Sequence, residues 1–182
     1  MLMWIAQKDL SSNNVSYCIR TATEKDANNL SELRLQIDGE TENLDREKGE
    51  AYIDEAGFRK MIEEDRESGN SLFLVAEANG KLVAFSRCAG KEMKRTYHQT
   101  EFGIGVLKEY WGNGIAQNIL KELIRWADKN GVKKITLKVL ETNSKAIALY
   151  EKFDFVVEGI LKKDKFLSDG NYYNTVLMAR FK

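Results

Sequence analysis

The chain alternates between short segments with a hydrophobic period of two residues and longer segments with a helical period. The period of two predicts strands at 15–20, 71–78, 81–90, 100–107, 133–139, 155–166 and 172–181. The helical period predicts helices at 27–37, 53–67, 115–130 and 143–153. Turn and capping signals support these bounds, namely Thr23 with Asp26, Asn79-Gly80, Asn130-Gly131 and Ser168-Asp169-Gly170.

The order of these elements mixes hairpins with helical crossovers, which favours a mixed sheet. We therefore expect the α/β class, of the α+β mixed-sheet type, with about six to seven strands and helices on both faces. The chain has no proline and no visible repeat, so residues 15–182 are predicted to form a single domain. Residues 1–14 are predicted to be a partly ordered extension.

The composition limits which binding partners and which cellular compartment we expect for this protein. The 182 residues include 28 basic and 28 acidic side chains, so no net charge attracts the chain to nucleic acid. Cys18 and Cys88 lie far apart, which is typical of reduced thiols in a cytoplasmic protein. The chain contains no apolar run long enough to cross a membrane, and its start lacks a basic signal-peptide region. We expect a cytoplasmic protein with no membrane partner.

Charge is nevertheless distributed unevenly along the chain. Residues 38–67 include twelve acidic and five basic side chains, whereas residues 105–182 include fourteen basic and nine acidic ones. One interpretation is two ordinary solvated faces. The other is a basic half that suits an anionic cofactor and an acidic half that suits a cationic substrate.

Common nucleotide and metal motifs do not fit the sequence. A dinucleotide-binding G-x-G-x-x-G starting at Gly103 fails because Lys108 stands at the third glycine position. The segment "GNGIA" lacks the lysine and hydroxyl of a phosphate-binding P-loop. His98 is the only histidine, so a zinc site or a Ser-His-Asp triad is poorly supported, and no metal is expected. His98 itself is expected on the surface.

The segment "VLKEYWGNGIA" (106–116) joins a strand to a helix through two glycines. The first N–H groups of a helix have no partner within the helix, and the helix dipole is positive there. Glycines at 112 and 114 would let this backbone approach a pyrophosphate closely. The alternative is a tight strand-to-helix turn without a ligand.

A second segment makes the pattern more specific. Asn143, Ala146 and "LYEKFDF" (149–155) follow the next strand, and together with "EFGIGVLKEYWGNGIAQNIL" they resemble the GNAT superfamily of acyl-CoA-dependent N-acetyltransferases. The resemblance covers residues 15–182 and implies that family's fold. Trp111 stands where the family more often has Gln or Arg, and its Y-W-G-x-G form is similar to the branch of polyamine and ribosomal-protein N-terminal acetyltransferases. Asp154 replaces a glycine and would have to adopt a left-handed conformation.

The resemblance implies acetyl-CoA as cofactor and a set of residues that contact it. The turn would bind the pyrophosphate, Asn143 the pantetheine arm, and Tyr150 would lie near the thioester sulfur. The implied contacts are Ile104, Val106, Trp111, Gly112, Asn113, Gly114, Ile115, Ala116, Asn143, Ala146, Tyr150 and Lys152. Asn143 also suits an ordinary helix N-cap, and both roles are compatible.

Acetyl transfer to an amine needs a base, a donor to the carbonyl oxygen and an acid for the leaving thiolate. Tyr150 is the candidate acid, although a buried helix aromatic gives the same pattern. The Val106 N–H is implied as the donor to the oxyanion, next to Gly103 and Gly105, which otherwise serve packing. Glu101 is the first candidate base, with Glu40 and Glu42 in the acidic segment as the others, and an exposed strand charge is the alternative for Glu101.

These observations predict an enzyme that moves an acetyl group from acetyl-CoA to a primary amine by direct attack through a tetrahedral intermediate. The acceptor is expected to be a small cationic amine of polyamine type or a peptide amine, with Glu40 and Glu42 as substrate-binding residues. The alternative is a non-catalytic module of the same fold that senses acyl-CoA. The N-terminal tail and the last hairpin are available for a homodimer contact.

Overall fold

A single eight-stranded mixed sheet forms the centre of the molecule. The computed structural model describes residues 4–182. The strands are β1 (Lys8–Ser12), β2 (Val15–Thr21), β3 (Leu72–Ala78), β4 (Lys81–Gly90), β5 (Gln99–Val106), β6 (Lys134–Leu140), β7 (Val156–Phe166) and β8 (Tyr172–Phe181), in the sheet order β1-β2-β3-β4-β5-β6-β8-β7. Neighbours are antiparallel except β5 and β6, which are parallel. This one parallel pair marks where the chain crosses over.

Four α-helices of the described residues cover the sheet: α1 (Ala27–Glu40), α2 (Glu55–Glu67), α3 (Ile115–Lys129) and α4 (Ser144–Glu151). Side chains of one strand point alternately to the two faces. On β2, Arg20 binds Asp26 just before α1, whereas Tyr17, of opposite parity, is bound by Asn118 of α3. On β5, Phe102 contacts Tyr150 of α4. Helices therefore lie on both faces, as predicted.

The sheet has more strands than the six to seven expected from the sequence. The additional strand is β1, which pairs antiparallel with β2 from Lys8↔Ile19 to Ser12↔Val15. Its short alternating segment of polar and small residues carries little hydrophobic signal, so the pattern did not reveal it. Residues 1–3 of the predicted extension 1–14 lie outside the described residues.

The local signals for turns and helix ends agree with the structure. Asn79 and Gly80 have φ of 51° and 74°, the left-handed values that a type I′ hairpin requires. The Thr23 N–H donates to the Asp26 carboxylate over 2.7 Å, as in a capping box. Helix α2 begins two residues later than predicted because the Asp54 side chain caps it by accepting from the Gly57 N–H. Within residues 4–182, no helix is long and apolar enough to span a membrane.

Candidate active site

A cleft opens in the middle of the sheet where β5 and β6 separate. The two parallel strands pair only from Gln99↔Lys134 to Glu101↔Thr136. Beyond that point β5 continues to Val106 beside β4, and β6 continues to Leu140 beside β8, without pairing to each other. In open sheets with helical crossovers, ligands bind at the carboxyl ends of parallel strands where the connections diverge. The cleft between β5 and β6 is such a position.

Backbone groups of β5 line this cleft in a fixed pattern. In an antiparallel ladder, a residue bonds to its partner strand through both its N–H and its carbonyl, or through neither. The Leu107 N–H donates to the Val83 carbonyl, and the Lys91 N–H donates to the Gln99 carbonyl, so odd-numbered residues of β5 bond to β4. The N–H and carbonyl groups of Ile104 and Val106 therefore face the cleft. The contacts of both residues with the cofactor stay a prediction from the family resemblance.

The glycine turn lies at the end of the same strand. Gly112 and Gly114 have φ of 80° and 72°, so glycine is required for the conformation at both positions. Among the described residues, no acceptor binds any of the six consecutive N–H groups from 112 to 117. Six free donors beside the positive end of the α3 dipole can bind an anion such as phosphate. Ile115 is buried beneath the turn and Ala116 is half-buried.

Two side chains of the turn hold it closed. The Trp111 indole N–H donates to the Val106 carbonyl over 2.8 Å, although the ring is 46% exposed. The Asn113 side-chain amide donates to the Tyr110 carbonyl over 3.1 Å. The polar N–H groups of these side chains are used within the turn, so the backbone N–H groups are what the turn offers to a ligand.

The start of α4 lies after the carboxyl end of β6. The Asn143 side-chain oxygen accepts from the Ala146 N–H over 3.3 Å, which caps the helix. Its side-chain NH₂ has no acceptor among residues 4–182, so the amide caps the helix and also keeps two donors for a ligand. Both roles proposed from the sequence are compatible with this geometry. Lys152 is exposed just after α4, and Asp154 adopts the left-handed φ of 64° that its place in the motif requires.

Tyr150 lies in the last turn of α4, where its ring packs between Phe102 of β5 and Phe155. The ring packs edge-on against Phe102, with 6.1 Å between the ring centroids, and at a tilt against Phe155, with 5.8 Å between the centroids. The side chain is 8% exposed, and burial raises the pKa of Tyr150 to about 12. The hydroxyl has no hydrogen-bond partner among the described residues, so its proton is available to a ligand. The phenol therefore remains a neutral donor throughout the physiological range.

Glu101 and the two strand glycines lie on the opposite face of β5 from Phe102. Glu101 is partly exposed, and its carboxylate lies 3.7 Å from the Lys91 amine. A Cβ added at Gly103 would meet no atom within 4 Å, so the space above this residue, here called the groove, is open. A Cβ at Gly105 would meet Phe85 at 3.1 Å and Ile37 at 3.3 Å, so this glycine serves packing against α1. Of the two roles predicted for these glycines, Gly105 serves packing, whereas Gly103 leaves space for a close approach.

An ion pair that the sequence analysis did not identify borders this groove. Arg87 lies directly opposite Gly103 on β4 and binds Asp65 of α2 through two bonds of 2.6 and 2.8 Å. Burial raises the pKa of Asp65, while the bonds to Asp65 raise the pKa of Arg87. The remaining guanidinium nitrogen of Arg87, Nη1, has no acceptor among the described residues.

Glu40 and Glu42 both accept hydrogen bonds from the backbone. The Glu40 carboxylate accepts from the Lys108 N–H over 2.7 Å, which joins the end of α1 to the segment after β5. The Glu42 carboxylate accepts from the Ser168 N–H over 2.9 Å, which joins the acidic segment to the turn between β7 and β8. Each carboxylate thus has a structural partner, and the acceptor-binding role predicted from the sequence stays a prediction.

The same two segments meet at a concentration of negative charge. Asp45 forms an ion pair with Lys165 of β7. The hydroxyl of Tyr173 donates to Asp169, and this bond, together with the nearby carboxylates of Glu42 and Glu141, raises the pKa of Tyr173. Carboxylates from three different segments therefore gather at the junction of the acidic segment, the β6–α4 turn and the last hairpin.

The single histidine, a possible metal site and the two cysteines were the other groups considered for chemistry. His98 is exposed at the start of β5, as the sequence predicted. No group of three or more His, Cys, Asp or Glu side chains within residues 4–182 has a metal-binding arrangement. Burial raises the pKa of both Cys18 and Cys88, and Cys88 is completely buried. A raised pKa leaves a thiol protonated, so neither cysteine is an activated nucleophile.

Comparison with known proteins decides the family. Residues 38–155 match the family described as "Acetyltransferase (GNAT) family". The chain belongs to the GNAT acetyltransferase family. It is 34% identical over 110 residues, 60% of this chain and 67% of the relative, to the L-amino acid N-acetyltransferase AaaT of Escherichia coli K12.

Solved structures share the fold over nearly the whole chain. The GNAT-family acetyltransferase of Streptococcus pneumoniae has a TM-score of 0.88 at 27% identity, covering 91% of this chain and 99% of that one. The ribosomal-protein-alanine N-acetyltransferase of Brucella melitensis has a TM-score of 0.78 at 24% identity, covering 90% and 99%. The protein is an acetyl-CoA-dependent N-acetyltransferase, as the motifs predicted, and acetyl-CoA is its acyl donor. These likenesses do not assign it to a branch.

Proposed function

We propose that this GNAT protein transfers the acetyl group of acetyl-CoA directly to a positively charged primary amine. The assignment of a cationic acceptor rests on the carboxylates around Tyr173, which come from the acidic segment and the last hairpin. Their negative field attracts a cationic amine and repels an anionic one. A polyamine or the N-terminal amine of a peptide fits this description, in line with the branch that the Y-W-G-x-G turn resembles.

The cofactor would lie along the cleft between β5 and β6. The free N–H groups of 112–117 would bind the pyrophosphate, and the backbone of Ile104 would pair with the amides of the pantetheine arm. Val106 would contact the acetyl end of the cofactor through its N–H, because its carbonyl already accepts from the Trp111 indole. The side-chain NH₂ of Asn143 would donate to the same arm. Acetyl-CoA supplies an acetyl group activated as a thioester. The residues of this cleft match an elongated ligand with an anionic end and an amide-rich arm.

Three groups of the chain would then carry the chemistry. Glu101, beside the open groove over Gly103, would accept a proton from the ammonium of the acceptor, directly or through water. The Val106 N–H would donate to the carbonyl oxygen as negative charge develops on it. The Tyr150 hydroxyl would donate a proton to the leaving sulfur. The two cysteines, with raised pKa values, support direct transfer without an acyl-cysteine.

A panel of acceptors tests this function. Thiol release from acetyl-CoA should exceed hydrolysis with spermidine, putrescine or a peptide with a free N-terminus, and the rate with such cations should fall as salt is raised. Acetylation of uncharged amines at equal or better kcat/KM would contradict the proposed role of the acidic junction. No release with any amine, despite binding of coenzyme A, would contradict acetyl transfer itself.

An amino acid is a second candidate acceptor, and Arg87 favours it. The free Nη1 of Arg87 borders the groove over Gly103, where it can pair with the α-carboxylate of an amino acid. The relative AaaT is named for L-amino acids, which adds support. L-Amino acids therefore belong in the same panel. Acetylation of free amino acids, but not of their amides, would favour this candidate over the cationic amine.

The edge of the sheet supports a homodimer. Strand β7 forms one edge of the sheet, and five of its apolar side chains are exposed, namely Val156, Val157, Ile160, Leu161 and Phe166. An exposed apolar edge strand pairs readily with a second chain. Light scattering should give a dimer for the wild type and a monomer for Ile160→Lys, and a wild-type monomer would contradict the assignment.

A further inference from the structure

The N-terminal hairpin reaches across the sheet to the glycine turn. Strands β1 and β2 are joined by Asn13-Asn14, both with left-handed φ, of 48° and 67°. The tip of this hairpin lies beside Gly112, and the Lys8 amine binds Glu122 of α3 over 2.7 Å. The hairpin is therefore held at two separate points, one on the glycine turn and one on α3.

Side chains of the hairpin donate hydrogen bonds to carbonyls of the glycine turn. The Asn13 side-chain amide donates to the Gly112 carbonyl over 3.1 Å. The hydroxyl of Tyr17 accepts from the Asn118 side chain over 2.7 Å, which leaves its own proton for the Asn113 carbonyl at 3.5 Å. A Cβ added at Gly114 would lie 3.9 Å from both Ser12 Oγ and the Tyr17 hydroxyl, so the turn packs closely on the hairpin.

These bonds fix the direction of the free donors of the turn. In a planar trans peptide, the carbonyl of one residue and the N–H of the next point in opposite directions. The carbonyls of Gly112 and Asn113 point towards the hairpin, so the N–H groups of Asn113 and Gly114 point away from it. Both N–H groups belong to the set of six without an acceptor among residues 4–182. Without the hairpin, glycine on either side would let these peptide planes rotate.

We propose that Asn13 and Tyr17 are positioning residues that orient the pyrophosphate-binding N–H groups of the turn. The proposal rests on the cofactor site described under the proposed function. Both side chains bind the turn from the side opposite to its free N–H groups. Each fixes one peptide plane from behind, and Asn118 holds the Tyr17 hydroxyl in place. The N-terminal hairpin is in this way a functional part of the acetyl-CoA site.

Asn13→Gly and Tyr17→Phe are the test variants. Glycine tolerates the left-handed φ at position 13, so the first variant removes the amide donor while preserving the hairpin turn. Asn14→Gly is the matched control, because Asn14 has the same conformation but binds no described residue. Tyr17→Phe removes only the hydroxyl from a buried ring. Thermal unfolding of all four proteins establishes that they are folded before binding is compared.

Binding of coenzyme A by calorimetry is the first readout. The Kd should rise about threefold to tenfold in Asn13→Gly and Tyr17→Phe and remain unchanged in Asn14→Gly. The second readout compares acetyl-CoA with S-acetylpantetheine, which lacks the pyrophosphate. The kcat/KM for acetyl-CoA should fall in both test variants, whereas that for S-acetylpantetheine should not.

Each other outcome overturns a distinct claim. An unchanged Kd in both test variants would overturn the positioning role. Equal losses with the two acetyl donors would also overturn it, because general loosening of the fold affects both. If the wild type itself does not bind coenzyme A, the cofactor site fails, and with it the proposed function. If the wild type binds coenzyme A and both test variants bind it equally well, the cofactor site stands. Only the positioning role of the hairpin is then rejected.

Discussion

The indole nitrogen of Trp111 donates a hydrogen bond to the carbonyl oxygen of Val106 over 2.8 Å. This bond closes the segment between the end of β5 and the start of α3. It therefore fixes Val106, whose N–H faces the cleft, relative to the turn with six free N–H groups. A residue that differs from the family pattern thus connects the proposed oxyanion donor with the proposed phosphate site.

Trp111→Phe should separate this hydrogen bond from the packing of the ring. Loss of one partly exposed bond corresponds to about 1 kcal/mol, so kcat/KM for acetyl-CoA should fall about fivefold. Steady-state kinetics measure the effect. Trp4→Phe is the control, because the Trp4 indole is also exposed and binds no described residue. Wild-type kinetics in Trp111→Phe would show that the bond is incidental.

Tyr150→Phe should lower kcat by roughly tenfold to a thousandfold while the KM for acetyl-CoA changes little. The variant keeps the ring that packs on Phe102 and removes only the hydroxyl that would protonate the leaving sulfur. Because the pKa of Tyr150 is about 12, the wild-type rate should show no alkaline decline from this group below about pH 11. An unchanged kcat in the variant would remove Tyr150 from the mechanism.

The same pKa predicts how stability depends on pH. The folded pKa of Tyr150, about 12, is higher than the ordinary value of about 10. The stabilisation from burying the neutral phenol is therefore complete below about pH 10 and is lost as the pH rises through about 12. The free energy of unfolding in urea, measured from pH 8 to pH 11, should fall more steeply for the wild type than for Tyr150→Phe. Parallel curves would contradict the burial of this hydroxyl.

Glu101→Gln should lower kcat at neutral pH, and the loss should shrink as the pH approaches that of amine deprotonation. An alkyl ammonium has a pKa near 10, so at higher pH the acceptor is already neutral and needs no base. The rate–pH profile of the variant measures this recovery. Glu92→Gln, an exposed carboxylate in the connector before β5, is the control. A deficit that is constant with pH would indicate a role in binding rather than proton transfer.

Glu42 allows charge and structure to be separated. Glu42→Gln keeps an oxygen that accepts from the Ser168 N–H but loses the negative charge, whereas Glu42→Ala loses both. If the charge attracts the acceptor, Glu42→Gln should raise the KM for a cationic amine about twofold to fivefold, with a smaller effect at high salt. If only the hydrogen bond matters, Glu42→Gln should behave as wild type and Glu42→Ala alone should be impaired.

The fold and the glycine turn were predictable because their sequence signals are local. Alternation predicted seven of the eight strands, and glycines at 112 and 114 marked the turn within one short segment. The acidic composition of 38–67 indicated a negative field. It did not reveal that Glu40 and Glu42 each accept a backbone N–H, because a count of charges contains no geometry.

Contacts between distant segments could not be inferred from the sequence. Asn13 and Gly112 are separated by 99 positions, and β1 carries too little hydrophobic signal to predict the strand that brings them together. Arg87 and Asp65 are charged residues on two different elements, and only the packing of α2 on the sheet pairs them. An Asn-Asn pair is itself a turn signal, so the hairpin tip was the one part of this arrangement with a recognisable pattern.

Alanine substitutions at the two glycines of β5 should affect different properties, stability at Gly105 and acceptor binding at Gly103. Gly105→Ala places a methyl group 3.1 Å from Phe85 and 3.3 Å from Ile37, so these two side chains must move by a few tenths of an ångström. The free energy of unfolding in urea should fall by about 1–3 kcal/mol.

At Gly103 the added methyl group meets no atom within 4 Å, so the free energy of unfolding should stay within about 0.5 kcal/mol of wild type. That methyl group would instead enter the groove beside Glu101, so the KM for the acceptor should rise while the Kd for coenzyme A stays constant. Each variant thus controls for the other. If Gly103→Ala left acceptor kinetics unaltered, the groove would not be where the amine binds, and the acceptor would have to approach from the junction around Tyr173 alone.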